Sequence, residues 1–526
     1  MPAHQSLAHT KSISGVVCAL SLALAIAGCS VGPHYVKPEV EINEDWSTSD
    51  PQLSVEAPPD SAWWNAFGDS TLNRLVETAY HQNLPLQVAG LRILEARAQL
   101  GIAVGRQYPQ LQVAFANATA VGLSEHAANG VGLDREFWDF QLGFDAIWEM
   151  DFWGKYGNDV KAQTAGYFAE IASYDDALVS LTAEVARNYA VIRTFEVLIE
   201  QARENVEVQA EGLRIADSRF RNGATSELDV TQATTLLEST RASIPQLEIS
   251  LQQSQNALST LLGQPTGSVE ALLAGGLRVI PTAPEEVQVS VPADLLRRRP
   301  DIRAAELDAI AQCARIGIAK ADLYPSFSLF GTIGTQSSSS GGASFSNLFG
   351  AGSLFYAVGP RILWSLFNYG RTKNNVRVED ARFQQSLVNY ENTVLEAAQE
   401  VEDGLTGFLK AREAEVFSQN AAGAAQRSVD LAFVQYREGA VDFQRVLDAQ
   451  RSLLEEQNAL AETSSSVATN LIALYKALGG GWELRSGQPI VPDSTRIEMQ
   501  ERTNWGDDAF STPAEKETST GSENNP

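Results

Sequence analysis

Histidine and cysteine are the residue types that most often indicate nucleophilic or metal chemistry, and this chain contains few of either. Its 526 residues include five histidines and three cysteines. The histidines outside the first 28 residues lie far apart and have no neighbouring ligand pattern: His34, His81 and His126. The sequence therefore predicts no catalytic residues, no metal site and no cofactor, and the protein is not expected to be an enzyme.

Cys29 has the clearest chemical context of the three cysteines. A weakly basic start with Lys11, an apolar run of about a dozen residues and a few small residues precede it, as in a secretory signal. The apolar run is shorter than the roughly 20 residues that a membrane-spanning helix requires. Ile26-Ala27-Gly28-Cys29 resembles the bacterial lipobox, which implies cleavage before Cys29 and acylation of that residue. Because Ser30 stands where an Asp would retain such a lipoprotein in the inner membrane, the resemblance implies sorting to the outer membrane.

The charge balance excludes one class of partner. The formal net charge is −26, and loss of Lys11 with the signal changes it to −27. Such an acid excess repels phosphate groups, so no nucleic acid is expected as a partner. Cys313 has no second cysteine with which to pair in the mature chain, so a disulfide framework is also excluded.

The chain contains an internal duplication with one constant offset. Five landmarks recur 216 residues later: Tyr108-Pro109 and Tyr324-Pro325, Trp148 and Trp364, Gly154-Lys155 and Gly370-Arg371, Gly223-Ala224 and Gly439-Ala440, Leu262-Gly263 and Leu478-Gly479. Five matches without an insertion indicate two copies of one structural unit.

The duplication defines the predicted domains. They are a signal peptide at 1–28, a lipidated N-terminal extension at 29–62, a first repeat at 63–263, a linker at 264–299, a second repeat at 300–482 and a tail at 483–526. The tail is acidic and rich in Ser, Thr, Asn and Pro, so we expect it to be disordered.

Within each repeat the hydrophobic period changes from helical to extended and back. Residues 71–107 have apolar residues at helical spacing, and Tyr108-Pro109 ends that helix. Two strands with alternating faces follow, the first with Leu111, Val113 and Phe115 on its apolar side. The second strand has a longer apolar series: Phe140, Leu142, Phe144, Ala146 and Trp148. The second repeat has the same pattern around Phe327 and Leu329 and from Leu354 to Trp364.

Very long helices follow each pair of strands. We predict them at 155–220 and 371–436, each followed by a glycine turn and a further helix of about 35 residues. At 1.5 Å per residue, a 65-residue helix is on the order of 100 Å long, which is about the depth of a periplasm.

Four strands of about ten residues match the height of a transmembrane β-barrel but cannot close one. Unpaired backbone groups are too costly in hydrocarbon, and three copies would supply twelve strands. Aromatic residues at the strand ends suit the membrane interfaces: Phe137, Trp138, Trp148, Trp153 and Trp364. A soluble β-sandwich and a coiled-coil spacer without a channel remain as alternatives at this level.

Several motifs resemble the TolC/OprM-like outer membrane factors, specifically the NodT-type efflux lipoproteins. They are Cys29-Ser30-Val31-Gly32-Pro33-His34-Tyr35 with Pro38, the Trp63-Trp64 pair, Arg299-Pro300-Asp301-Ile302-Arg303-Ala304-Ala305-Glu306 and the paired Gly-Ala turns. His34 departs from the Asp or Asn usual in that family. The resemblance implies an α+β membrane protein in which a trimeric 12-stranded β-barrel, four strands per protomer, is continuous with a long α-helical periplasmic barrel.

The resemblance also implies two kinds of site. The turns between the long helices would be tips that dock onto a periplasmic adaptor: Arg221, Gly223, Ala224, Ser226, Arg437, Gly439 and Ala440. Asp448 and Asp229 match positions of aperture carboxylates, where three copies of one Asp would repel each other and favour cations. Tyr436 and Arg445 would form a latch between neighbouring helices. Simple helix punctuation and solvated surface carboxylates are the alternative interpretations.

The functional prediction is an exit duct for small molecules in a tripartite efflux system of the RND type. Its partners would be two further copies of the chain, a periplasmic adaptor, an inner-membrane RND pump and outer-membrane lipid. A duct for type I protein secretion and a non-transporting structural lipoprotein of the envelope remain open as alternatives.

Overall fold

The structure is a computed structural model that describes residues 30–48, 50–51, 53–54, 61–126, 134–289, 292, 298–340, 343–506 and 510. The predicted signal peptide and Cys29 lie outside these residues. Backbone contacts divide the chain into two units. The first combines residues up to Pro38 with Glu95–Ala169 and Ala305–Tyr390, and the second contains Glu39–Leu94, Glu170–Ala304 and Glu391–Pro526.

The helices repeat with the offset seen in the sequence. In chain order they are α1 Ser70–Gln82, α2 Leu84–Gly105, α3 Lys155–Arg221, α4 Glu227–Leu261, α5 Val269–Leu273, α6 Pro300–Ala321, α7 Arg371–Arg437, α8 Phe443–Ala477 and α9 Asp493–Arg502. The bounds of α2, α3 and α4 differ from those of α6, α7 and α8 by 216 residues at both ends. Both long helices have 67 residues, within two residues of the prediction. None of the described helices carries an apolar stretch long enough to cross a membrane.

Short 3-10 turns and one small parallel pairing complete the secondary structure. The turns are Trp63–Phe67, Phe345–Phe349, Ala351–Ser353 and Trp482–Arg485, and Leu53–Ser54 pairs with Val287–Gln288. The Trp63-Trp64 motif is buried in the second unit, where the Trp63 ring stacks on Tyr475 with centroids 5.3 Å apart.

The single helix predicted over 71–107 is wrong, because the structure has two helices that meet at Asn83. The Asn83 backbone is extended, with φ −64° and ψ 121°. Its side-chain oxygen accepts the N–H of Leu86 at 2.8 Å, while its amide nitrogen donates to Leu261 O at 2.8 Å. Pro85 lacks an N–H and cannot continue the hydrogen bonding of α1. The apolar spacing continues across this break, which is why the periodicity did not reveal it.

Four strands of the first unit form one antiparallel sheet. They are β1 Leu111–Gly122, β2 Glu136–Met150, β3 Ser326–Ser338 and β4 Leu354–Leu363, and they lie in sequence order. Among the described residues, the outer edges of β1 and β4 have no partner strand.

The register of the sheet sets which side chains share a face. Phe144 of β2 lies opposite Ala114 of β1 and Ile333 of β3. Ile333 in turn lies opposite Tyr356 of β4. We call this side the bulky face, and it exposes ten large apolar side chains: Trp138, Leu142, Phe144, Trp148, Leu329, Ile333, Leu354, Tyr356, Val358 and Ile362.

The other side, which we call the polar face, differs from the prediction in one respect. Its polar side chains come from all four strands, and they include Asn117 and Thr119 of β1, Asp139, Gln141 and Asp145 of β2, Thr332 and Gln336 of β3, and Arg361 of β4. Val113 lies opposite Asp145, and Phe115 lies opposite Gly143. The apolar series of β1 therefore lies on the face opposite to that of β2. Alternation within one strand shows which of its residues share a face. It does not show which face of the neighbouring strand lies on the same side, because a register shift of one residue moves every side chain of a strand to the other face.

The predicted disorder of the tail is wrong for its described part, 483–506. Helix α9 lies in this segment, and Ile490 and Val491 are buried. Arg485 forms a bidentate ion pair with Asp175, in which Nε donates to Oδ1 at 2.6 Å and Nη2 donates to Oδ2 at 3.0 Å. Burial raises the pKa of Asp175, and Arg485 opposes that rise. This buried pair and the apolar contacts fix a segment whose average composition is polar.

We expect Asp175→Ala to destabilise the second unit, because it leaves the partly buried Arg485 guanidinium group without its carboxylate. The side chain of Asp175 is 3% exposed, and loss of one partner of such a pair typically costs about 3–5 kcal/mol. Differential scanning calorimetry should show a lower Tm, and limited proteolysis should show cleavage near Arg485. Asp493→Ala is the matched control, because Asp493 and Arg496 form an exposed pair. Equal Tm values for the two variants would contradict the expectation.

Candidate functional site

The two turns that join the long helices have the same backbone structure. Gly223 and Gly439 adopt φ values of +73° and +75°, a conformation that other residues adopt only with strain. At the first turn, Gly223 N–H donates to Phe220 O at 2.9 Å and Ala224 N–H donates to Arg219 O at 2.8 Å. This pair of bonds is the Schellman arrangement, in which the last carbonyls of a helix accept from residues beyond its end.

The second turn repeats both hydrogen bonds. Gly439 N–H donates to Tyr436 O at 3.1 Å, and Ala440 N–H donates to Gln435 O at 2.8 Å. The Gly-Ala pairs predicted as tips are therefore helix C-terminal caps in both repeats. The punctuation interpretation holds, and the turns leave Gly223, Ala224, Gly439 and Ala440 exposed.

The remaining predicted tip residues surround these turns. Arg221 is exposed and pairs with Asp217 at 2.8 Å, while Arg437 reaches Glu211 at 3.7 Å. Ser226 is the N-cap residue of α4 but makes no side-chain capping bond. Its counterpart in the second repeat, Asp442, caps α8 by accepting from Arg445 N–H at 3.3 Å. Both turns thus present a cation and a small exposed surface.

An apolar cluster lies directly behind the turns and holds the two helical hairpins together. Its fully buried members come from four helices and from both repeats: Ala216, Ala233, Leu236, Tyr436, Phe443, Val446 and Leu447. The rings of Tyr436 and Phe443 are 5.1 Å apart. Because α3 and α4 pack against α7 and α8 here, a movement of one hairpin relative to the other must disturb this cluster.

Arg219 links the hairpins by a polar contact that the sequence did not indicate. Its guanidinium group stacks over the Tyr436 ring at 4.5 Å from the centroid and donates a hydrogen bond to the Tyr436 carbonyl oxygen. Tyr436 is 2% exposed, and burial raises the pKa of its hydroxyl group. Within one chain the described cation on Tyr436 is Arg219, and the predicted latch of Tyr436 and Arg445 between neighbouring helices stays a prediction.

The repeat offset shows where the two hairpins differ but not that they meet there. Arg219 and Phe220 correspond to Gln435 and Tyr436, so the two hairpins differ at the last turn of their first helix. The cation of one repeat and the phenol of the other can meet only where the hairpins pack together. One-dimensional spacing does not show that packing.

The predicted aperture carboxylates have different environments. Asp448 projects from α8 with its side chain 58% exposed. It accepts from Gln444 Nε2 at 2.7 Å and lies 3.8 Å from Arg451. Asp229, in the first turn of α4, accepts a hydrogen bond from the Thr225 hydroxyl group. Asp229 corresponds by the repeat offset to Arg445, so the two carboxylates are not equivalent positions of the duplication.

The residues that follow Cys29 are fixed within the first unit. Val31 N–H donates to Trp153 O at 3.2 Å, and Asn158 Nδ2 donates to the Ser30 hydroxyl oxygen at 3.2 Å. A Cβ atom at Gly32 would lie 2.9 Å from the Gly317 Cα, so the two backbones meet at a point where only glycine fits. Ser30 and Val31 therefore lie beside Asn158 and Trp153.

The sheet with a bulky apolar face, the duplicated long helices and the matched tips together define an outer-membrane channel. The family described as outer membrane efflux protein matches residues 75–264 and 291–480, one stretch in each repeat. The two stretches cover more than half of the chain, so this protein belongs to the outer membrane efflux protein family.

Individual relatives agree with this assignment. The cation efflux system protein CusC of Escherichia coli O6:H1 is 30% identical over 466 residues, which are 88% of this chain and 98% of the relative. The probable outer membrane lipoprotein SilC of Salmonella typhimurium is 31% identical over 468 residues, again 88% and 98%. The solved outer-membrane channel OprN has a TM-score of 0.80 at 30% identity and covers 86% of this chain and 100% of its own.

These matches confirm the predicted family, the α+β channel fold built from two repeats, the outer-membrane location and the role in efflux. The family consists of channel proteins rather than enzymes. The matches do not test the roles of individual residues, which remain predictions.

We expect Arg219→Met to loosen the tips, because it removes both the stacking on Tyr436 and the bond to its carbonyl oxygen. A cation over an aromatic ring contributes about 0.5–2 kcal/mol, and a hydrogen bond from a charged donor contributes about 1.5–3 kcal/mol. Native-state hydrogen exchange should show faster exchange at the C-terminal end of α7. Arg221→Met removes an exposed cation two residues away and should leave the exchange unchanged. Unaltered protection in Arg219→Met would exclude a linking role.

Proposed function

We propose that three copies of this chain form a passive duct through which an efflux system releases small molecules across the outer membrane. The observation that carries the proposal is the open sheet. The outer edges of β1 and β4 are unpaired among the described residues, and the bulky face exposes large apolar side chains. In hydrocarbon every backbone N–H and C=O group needs a partner, so the sheet must join others and close.

The number of chains follows from the size of a closed barrel. Known barrels in membranes begin at about eight strands, and single sheets of four strands lie below that limit. Two copies would just reach eight strands, whose interior is filled by side chains. Three copies give twelve strands and a wider lumen, which suits an exit duct. The bulky face would then contact lipid, and the polar face would line the lumen.

The exposed tips support the second part of the proposal, which concerns partners. Gly223, Ala224, Gly439 and Ala440 present a nearly featureless backbone surface, and Arg221 and Arg437 stand beside it. A helical hairpin of a periplasmic adaptor could approach such a surface closely. The adaptor would connect the duct to an inner-membrane RND pump, and the pump would select the substrate. The relative CusC is named for cation efflux, which makes cations one substrate class to test.

Asp448 is the proposed aperture residue. Its side chain is exposed and its one cationic neighbour is loosely placed at 3.8 Å, so the carboxylate retains most of its charge toward solvent. Three copies around a threefold axis would concentrate negative charge, repel each other and attract cations. Asp229 is the less favoured aperture residue, because it accepts a hydrogen bond from Thr225. Arg445 is exposed in the first turn of α8, three residues before Asp448.

We expect Asp448→Ala to lower the cation selectivity of single channels in planar bilayers and to widen their openings. The reason is that removal of three carboxylates lowers the local cation concentration at the aperture. Asp430→Ala is a matched control, because Asp430 is also exposed and also accepts from a Gln four residues earlier, at 3.3 Å. Identical selectivity in the two variants would remove the aperture assignment. A purified protein that is monomeric or does not conduct would remove the duct itself.

The lipid anchor is a separate proposal. We expect Cys29→Ser to abolish incorporation of labelled palmitate and to reduce the fraction of the protein that reaches the outer membrane. Cys313→Ser provides the control, since Cys313 is a buried thiol whose Sγ lies 3.7 Å from Pro33 O. Palmitate labelling that persists in Cys29→Ser would show that the chain is acylated elsewhere.

A further inference from the structure

The polar face of the sheet carries aromatic rings at positions where a lumen lining is expected to be polar. Phe115 of β1 and Phe355 of β4 lie in one row across the sheet. Phe115 is opposite Gly143, Gly143 is opposite Gly334, and Gly334 is opposite Phe355. The row reads Phe, Gly, Gly, Phe, and it repeats in each copy of the chain.

The two glycines allow the phenylalanine rings to lie over the backbone of the neighbouring strand. A Cβ atom at Gly143 would be 2.6 Å from Cζ and 3.0 Å from Cε1 of Phe115. A Cβ atom at Gly334 would be 2.6 Å from Leu142 O and 2.9 Å from the Gly143 Cα of the neighbouring strand, and 3.0 Å from Cε1 of Phe355. The far edge of each ring thus occupies the space that a side chain would take. Glycine in a strand often marks such a close approach. One edge of each ring contacts a glycine, and both phenylalanine side chains remain partly exposed on this face.

Asp145 lies next to this row on the same face. It is two residues beyond Gly143 on β2 and opposite Val113 and Thr332. A diagonal neighbour of this kind in an antiparallel sheet is about 7–8 Å away, which places Asp145 beside Phe115. Within the described ranges, Asp145 has no hydrogen-bond or ion-pair partner.

Asp139 of the same strand and face provides the contrast. Its Oδ2 accepts from Gln141 Nε2 at 2.8 Å, and its Oδ1 accepts from Gln336 Nε2 at 3.0 Å. Both oxygens of Asp139 therefore take part in a cross-strand network. Asp145 faces Val113 and Thr332 instead and keeps its charge available to a solute.

We propose that Phe115, Phe355 and Asp145 form a contact site on the lumen wall for organic cations that carry an aromatic or apolar group. The inference rests on the proposed duct, because that duct assigns the polar face to the lumen. The exposed side of an aromatic ring attracts a cation through its negative face, and a nearby carboxylate adds a charge of the right sign. Each trimer would contain three such sites, which would let a solute move along the wall by brief contacts.

The test uses benzyltrimethylammonium, a soluble cation with one aromatic ring, and the full-length trimer in detergent. Saturation-transfer NMR gives its Kd for the wild type and for Asp145→Asn, Phe115→Leu and Phe355→Leu. We expect saturable binding to the wild type that weakens roughly tenfold in Asp145→Asn and several-fold in each Phe variant, as loss of a cation contact implies.

Two control variants make the same side-chain changes at positions outside the proposed contact site. Asp139→Asn removes a carboxylate of the same strand and face whose oxygens are already bonded. Phe144→Leu removes a ring from the bulky face of the same strand. Both should bind benzyltrimethylammonium as the wild type does. Equal affinity in Asp145→Asn and the wild type, or no saturable binding to the wild type, overturns the site.

Conductance of the same preparation separates this inference from the proposed duct. A conducting trimer that does not bind the probe at Asp145 retains the duct and rejects the contact site. A protein that fails to conduct but binds the probe in an Asp145-dependent manner rejects the duct while it supports the carboxylate and ring as a cation site.

Discussion

A four-stranded antiparallel sheet has two outer edges, and the backbone groups along those edges need hydrogen-bond partners. Water could supply them in solution, but hydrocarbon cannot. The exposed apolar residues of the bulky face place this sheet in a membrane, so its edges require strands from other copies of the chain. The duplication of two strands per repeat, the proposed threefold assembly and the lumen all depend on this one constraint. The sheet is therefore both the membrane anchor of the fold and the reason for its assembly.

The two repeats have the same backbone, and the function that we propose depends on the side chains that differ between them. The two tips share glycine caps with matched φ values, so both hairpins end in the same geometry. Their side chains differ, because Arg219 stands where the second repeat has Gln435, and Asp229 stands where it has Arg445. These differences allow one repeat to hold the other through Arg219 and Tyr436 and leave Asp448 unmatched.

Glycine has a second use in the sheet, where it accommodates neighbouring side chains rather than turns. Gly143 and Gly334 make room for the rings of Phe115 and Phe355. Gly331 lies on the bulky face, and a Cβ atom there would come no closer than 3.9 Å to any neighbouring atom. This glycine therefore does not make room for a side chain. The same residue type therefore has different roles at positions that the printed sequence does not distinguish. The polar face thereby acquires aromatic surface next to the two glycines.

The sequence by itself determined the repeat, the long helices and the positions of the turns, because these depend on local periodicity and on glycine chemistry. The bounds of α3 and α7 agree with the predicted ones to within a residue at each end. Tertiary structure decided which faces of neighbouring strands coincide, that Arg219 meets Tyr436, and that the polar segment around Arg485 is ordered. Register, the meeting of residues 217 positions apart and the burial of an ion pair arise from packing between distant segments. Spacing along one segment carries no information about the partner against which it packs.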